Sequence, residues 1–165
     1  MTPSQDLATP AKAIIDANVY MVLGTADDDG QPWVSPVFYA VNGYTEFYWI
    51  SSPEVTHSQN LARRPQASIV IFDSRAVVGT GGSRAVYMSG TADQLSGDDI
   101  DRGLDVYPGP AERGGRTMTP HELQPPGPYR LYRITVSHHW MLCPRDSGSC
   151  TAHGRNFDHR TIVTL

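Results

Sequence analysis

The chain has 165 residues, about one domain at ~150 residues each, and roughly 70% of the unfolded surface of such a chain is buried on folding. Thirteen basic against seventeen acidic residues give a net charge of −4, the wrong sign for a general nucleic-acid binder. No apolar run approaches the ~18 residues of a membrane span, so one single-domain core over residues 1–165 is predicted, with no nucleic-acid or membrane partner. The opening MTPSQDLATP has neither a basic region nor an apolar stretch, so no secretory signal is expected. Thr9-Pro10 reads as an N-cap followed by proline, which predicts a short helix over Ala11 to Ala17. Tyr20 to Ala26 is dense in strand formers, and Asp27-Asp28-Asp29-Gly30 is a turn. Trp33 to Val41 resumes as a strand, with Pro36 requiring an edge or a bulge. Asn42-Gly43 signals a hairpin into Glu46 to Ser51. Ser52-Pro53-Glu54 opens a second helix, which Pro65 ends.

Ala67 to Asp73 is the most apolar strand, and Gly79 to Gly82 reads as a hairpin turn, since it lacks the Gly-Lys-Ser/Thr ending of a phosphate loop. Ala85 to Ala92 is another strand, and Ser96 caps a helix over Gly97 to Tyr107. Pro108 to Pro128 is a long loop with at most a short helix near Thr119 to Leu123. Tyr129 to Val136 alternates as a strand, with His138 to Leu142 as its extension, and Asp158 to Leu165 is the last strand. Short turns between neighbours favour antiparallel pairing. The prediction is a mainly β fold, a small barrel of about six to seven mostly antiparallel strands with peripheral helices. Trp33, Tyr39, Phe47, Tyr48 and Trp49 read first as core.

One block carries more information. Gly30-x-Pro32, an aromatic hairpin, Ser51-Ser52-Pro53, a helix ending Asn60-Leu61, then Pro65 and an apolar strand follow one another over about fifty residues. This order resembles the pyridoxamine 5′-phosphate oxidase-like family of flavin-binding split barrels. Arg130-Leu131-Tyr132-Arg133, Trp140 and Asp158-His159-Arg160 are similar to its C-terminal part. The resemblance implies a split β-barrel homodimer holding FMN between subunits, with the 5-deazaflavin coenzyme as an alternative cofactor. It implies an oxidoreductase acting on a small organic substrate. A non-catalytic flavin- or haem-binding protein stays open beside it. Cofactor contact is implied at Ser35, Val37, Ile50, Ser51, Ser52, Thr56, His57, Trp140 and Arg160. No side chain is assigned a catalytic role, because the redox chemistry belongs to the flavin.

The chain departs from the pattern where charge matters. Positions that usually carry Arg or Lys read Ser35, Ala40, Thr56 and His57, and a usual Ser reads Val55. A phosphate monoester carries about −1.5 to −2 charges, so a protonated His57 is expected to anchor it, with Arg63, Arg64 or the other subunit supplying further charge. The aromatic hairpin is expected to need a second subunit to cover it.

Two cysteines are too few for a disulfide framework, and reduced thiols in a cytoplasmic protein are expected. His138, His139, Cys143, Cys150 and His153 fall within sixteen residues, and Cys150-x-x-His153 has ligand spacing. Cys143 and Cys150 are too widely separated for a tight Cys-x-x-Cys knuckle, so the sequence reading assigns no metal site. No Gly-x-Ser-x-Gly elbow supports serine hydrolase chemistry.

Overall fold

A computed structural model describes residues 6–75, 77, 85–143, 148–150 and 153–165. The elements are α1 (Ala8–Ala17), β1 (Tyr20–Ala26), β2 (Pro32–Phe38), β3 (Ala40–Asn42), β4 (Glu46–Ser51), α2 (Thr56–Arg63), β5 (Gln66–Phe72), β6 (Ala85–Gln94), α3 (Asp98–Leu104), β7 (Arg130–Leu142) and β8 (Arg160–Val163). Short 3-10 turns at Ala111–Arg113 and Pro120–Leu123 fall in the segment read as a long loop. The proposed Gly79–Gly82 turn and residues 144–147 and 151–152 of the C-terminal loop lie outside the described residues.

All strand pairs are antiparallel, in the order β2-β1-β5-β6-β7-β4-β3, with β8 added to β7. The strands at the two ends of that order, β2 and β3, are separated in the chain only by Tyr39. One segment, 32–42, therefore pairs with β1 by its first part and β4 by its second, and the sheet curls into a barrel. Tyr39 is the pivot that splits the single strand expected over 33–41. Its N–H bonds the Val19 carbonyl, and its buried hydroxyl donates towards the carbonyls of Ile15 and Asn18. Pro36 lies on β2, an end strand, where its missing N–H is harmless. The hairpin turn centres on Gly43 and Tyr44, with φ of 57° and 58°, the left-handed pair that a tight β-hairpin requires.

Alternate residues of the strands fill the barrel. Met21, Leu23, Phe47, Trp49, Ile69, Ile71, Val86, Ile134 and Met141 are fully buried there, and Trp49 stacks on Tyr132 at 5.4 Å. The outer face of β4 and β7 is covered too: Tyr48 and Leu131 pack with Ile100, Tyr107, Met118 and Leu123 from α3 and the following segment. Both faces of β4 are thus apolar, which is why EFYWIS shows no clean alternation.

Several boundaries differ from expectation. Helix α1 starts at Ala8, because the Asp6 carboxylate, and not Thr9, accepts the first N–H groups. Helix α2 starts at Thr56, since Ser52 to Val55 close a turn of their own. The aromatic hairpin is covered within one chain: Tyr39, Phe47, Tyr48 and Trp49 are all buried. It gives no argument for a dimer. Trp33, read as core, is instead 49% exposed on β2, beside the exposed Val34. Among the described residues no helix is long and apolar enough to cross a membrane.

Candidate functional site

Three predicted residues meet at one end of the barrel. His57, in the first turn of α2, places Nδ1 3.1 Å from Ser35 Oγ on β2 and Nε2 2.9 Å from Ser51 Oγ at the end of β4. Helix α2 is held there by a short polar chain. Asn60 Nδ2 donates to Thr25 Oγ1, which donates to the Trp33 carbonyl, while Leu61 enters the barrel core. The Asn-Leu pair of the sequence pattern is thus a clamp that aims His57 at the two serines.

The chemistry of this cluster follows from its charge. His57 is 8% exposed, and burial pushes its pKa below the ordinary 6.5. The ring expected to be an imidazolium is therefore neutral in the ligand-free chain. A neutral ring has one N–H and one lone pair. One serine hydroxyl donates into the ring; the other receives the ring N–H and keeps its own proton to donate outwards. Among the described residues no carboxylate bonds the far nitrogen, which faces Ser35 instead, to stabilise an imidazolium as a nucleophilic serine would need. The arrangement is a hydrogen-bonding site and not a charge-relay site. Trp33 Nε1 donates to Ser35 Oγ at 3.1 Å, which sets a half-exposed indole beside the cluster.

The other predicted residues fall in three groups. Thr56 is exposed at the start of α2, and no side chain caps that helix start. Ser52 is close by, but its hydroxyl accepts the Glu54 N–H at 3.2 Å. Val37 is buried in the barrel and Ile50 packs against the second core. Trp140 and Arg160 lie elsewhere. Ser51 pairs with Arg130, and Trp140 is ten residues further along β7, roughly 30 Å at ~3.3 Å per residue. There the outer face carries Tyr87, Trp140 and Ile162 in one cross-strand row, with the Arg160 guanidinium 3.9 Å from the Tyr87 ring and His138 stacked on Trp140. A single chain does not bring this aromatic face to His57.

The missing charges also have structural reasons. Ala40 is 2% exposed in the second core, and a Cβ at Gly109 would lie 3.7 Å from its own Cβ. The segment after α3 fills the space a lysine there would need. Arg63 and Arg64 are at the far end of α2, bound to Asp28, so neither supplies charge to the cluster. Arg130, quoted from the sequence only as part of the C-terminal motif and not as a cofactor contact, stands opposite Ser51 and so shares its face of the sheet. Its Nη1 donates to the carbonyls of Gly127 and Tyr129. Only the strand register reveals it.

The neutral histidines make acid stability a test. Burial also lowers the pKa of His139, whose Nε2–H donates to the Tyr44 carbonyl at 2.7 Å. Unfolded histidines take protons at higher pH than these two, so the unfolded state gains protons first on acidification. Stability is complete above about pH 6.5 and falls as pH drops below it. The melting temperature should hold between about pH 7 and 8 and decline from about 6.5 to 5, with a smaller decline in His57→Gln. A parent curve that is flat down to about pH 5.5 contradicts the burial argument.

The family model described as pyridoxamine 5′-phosphate oxidase matches residues 8–143. No curated protein sequence matches the chain. Among solved structures, a haem-binding protein from Mycobacterium smegmatis superposes with a TM-score of 0.66 at 22% identity, covering 98% of this chain. The chain spans 59% of that protein's length. HutZ, the haem storage protein from Vibrio cholerae, gives 0.61 at 18% identity, covering 81% of this chain and 92% of its own. An F420 reductase gives 0.52 at 16% identity, covering 78% and 94%. These identities establish a shared fold. With the family match over most of its length, the curled antiparallel sheet and the α2 clamp, the chain belongs to the pyridoxamine 5′-phosphate oxidase family of split β-barrels.

Proposed function

We propose that the chain is a flavin-dependent oxidoreductase that holds FMN at the Ser35–His57–Ser51 cluster and acts on a small organic substrate. The observation that carries this reading is the meeting of those three side chains, from β2, α2 and β4, at positions the family resemblance gives to the cofactor phosphate. The donor set fits a phosphate through hydrogen bonds more than through charge. The serine that receives the His57 N–H and the exposed Thr56 offer hydroxyl protons, and the first turn of α2 has N–H groups that no side chain caps. His57 fixes the orientation of both serines. Arg130 supplies positive charge on the same face of the sheet as Ser51.

When bound, FMN supplies the two-electron chemistry. The chain binds, orients and encloses it. We infer that the enclosing wall comes from a second copy, because Trp140 and Arg160 sit on an outer face that one chain cannot fold back onto His57. The half-exposed Trp33 beside the cluster gives the second copy an apolar contact.

A second reading follows from the lack of a cation hydrogen-bonded to His57 or the two serines among the described residues. A site with neutral donors suits a cofactor that needs less phosphate charge neutralised. The likenesses to haem-binding proteins and to an F420 reductase name the two alternatives, haem and the 5-deazaflavin coenzyme. Titrating the purified chain separately with FMN, the deazaflavin coenzyme and haemin, by absorbance, separates the three. Saturation by FMN at one per chain is expected. Saturation by haemin or the deazaflavin coenzyme alone would overturn the FMN reading.

A further inference from the structure

We propose that Cys143, Cys150, His153 and His159 bind a zinc ion in a closed, structural site that pins the C-terminal strand to the barrel. Each residue offers one ligand atom, and the four atoms lie within 4.8 Å of one another. The individual distances are the stronger evidence. His159 Nε2 is 3.1 Å from His153 Nδ1 and 3.4 Å from Cys150 Sγ, and His153 Nδ1 is 3.6 Å from both sulfurs. Zinc held tetrahedrally at ~2.0–2.1 Å from nitrogen and ~2.3 Å from sulfur sets two nitrogens about 3.4 Å apart and nitrogen and sulfur about 3.6 Å apart. Four of the six edges of the cluster are already close to those lengths, and the other two lie within 4.8 Å.

The surroundings orient the ligands as a metal site requires. His159 Nδ1 is 3.1 Å from the Phe157 carbonyl, so its ring N–H donates there and Nε2 keeps a lone pair for the metal. The His153 backbone N–H donates to Cys150 Sγ at 3.2 Å, an interaction that favours a thiolate. Cys143 follows β7 and His159 precedes β8; the Cys143 N–H donates to the His159 carbonyl at 2.9 Å, continuing the ladder between the two strands. Two ligands thus come from paired strand ends and two from Cys150 and His153, three positions apart in the chain. The sequence reading weighed His138 and His139 instead of His159. His139 turns into the barrel to the Tyr44 carbonyl and His138 stacks on Trp140, so neither joins the cluster.

Two thiolates and two imidazoles suit zinc, and four protein ligands leave no position open for substrate. Both cysteines are unbridged, and Cys143, Cys150 and His159 are buried. Binding releases the two thiol protons to solvent, and the two thiolates neutralise the ion. The site lies outside the Ser35–His57–Ser51 cluster, so its success or failure is independent of the cofactor reading.

The test is metal analysis of the full chain, purified under reducing conditions after growth with added zinc. One zinc per chain is expected. Cobalt(II) loaded in its place should show the intense visible bands of a four-coordinate centre and a thiolate-to-cobalt charge-transfer band. Cys150→Ser and His159→Ala should lose the zinc, whereas His121→Ala, in the Pro120–Leu123 turn, should keep it. In case the ligand variants do not fold, the parent supplies a second readout. Alkylation of its two thiols should be slow with zinc and fast after a chelator. Zinc content well below one per chain with thiols equally reactive in both conditions overturns the proposal. So does iron in place of zinc, a Cys143–Cys150 disulfide in the purified chain, or full zinc retention by Cys150→Ser and His159→Ala.

Discussion

Replacing Gly90 with alanine is expected to destabilise the fold by about 3 kcal/mol, at the upper end for a single substitution. The register of β6 and β7 shifts between Ser89, opposite His138, and Gly90, opposite Val136, leaving Ser137 as the extra residue of a bulge. The bulge draws the two backbones together. A Cβ at Gly90 would lie 2.2 Å from the Thr135 carbonyl oxygen and 2.9 Å from the Thr135 carbonyl carbon and Val136 Cα. These are backbone atoms in the longest strand, so no side chain can swing away. At ~2–4 °C per kcal/mol for a domain of this size, the melting temperature should fall by roughly 6–12 °C. Gly148→Ala is the control: among the described residues nothing lies within 4 Å of a Cβ there, and a change within about 0.5 kcal/mol is expected. Equal melting temperatures for Gly90→Ala and the parent would mean that the bulge is placed wrongly.

Deleting residues 158–165 should have a comparable or larger effect. The deletion removes β8, which pairs with β7 from His139↔Val163 to Leu142↔Arg160. It takes Val163, 8% exposed, out of the barrel core, and with it the partly buried Leu165. Burial of one such side chain is worth about 1.5–3 kcal/mol, and each ladder hydrogen bond adds about 0.5–1.5 kcal/mol. The sum approaches a large share of a typical stability of about 5–15 kcal/mol. Insoluble expression, or a melting temperature lower by more than about 10 °C, is the expected result. Point changes separate packing from mere shortening. Ile162 is 68% exposed and Val163 8%, so Ile162→Thr should be nearly neutral and Val163→Ala should not. A truncated chain that melts like the parent would show that β8 is a passive tail.

What was legible in the sequence is what local chemistry dictates. The hairpin at Asn42-Gly43, the edge position of Pro36 and the alternation of Tyr132, Ile134 and Val136 all follow from rules that act within a few residues. The candidate site was legible through the order of motifs, and the α2 clamp gives that order a physical meaning in this chain: Asn60 and Leu61 hold the helix that carries His57 to the serines. What stayed hidden depends on register and burial. Trp33 looks like core until β2 proves to be an end strand. Arg130 belongs to a recognisable motif, but nothing places it at the site until β4 and β7 align it with Ser51. Ala40 looks like a lost lysine until the segment after α3 is seen to pack over it. His159 reads as part of a basic strand until the end of β7 brings Cys143 beside it.

The central claim is that the Ser35–His57–Ser51 cluster grips a flavin phosphate. It is tested most directly by comparing FMN with riboflavin, which has the same ring system and no phosphate. Fluorescence titration of the parent should give tighter binding of FMN than of riboflavin. Ser51→Ala should weaken FMN by about 1–3 kcal/mol, roughly 5- to 150-fold, the range for losing a hydrogen bond to a charged group, and His57→Ala should weaken it by freeing both serines from their fixed orientation. Both variants should leave riboflavin unchanged. Because burial keeps His57 neutral, the FMN preference should persist with little change between about pH 7 and 8. Equal affinities of the parent for FMN and riboflavin, or FMN affinity unmoved in both variants, would contradict the claim.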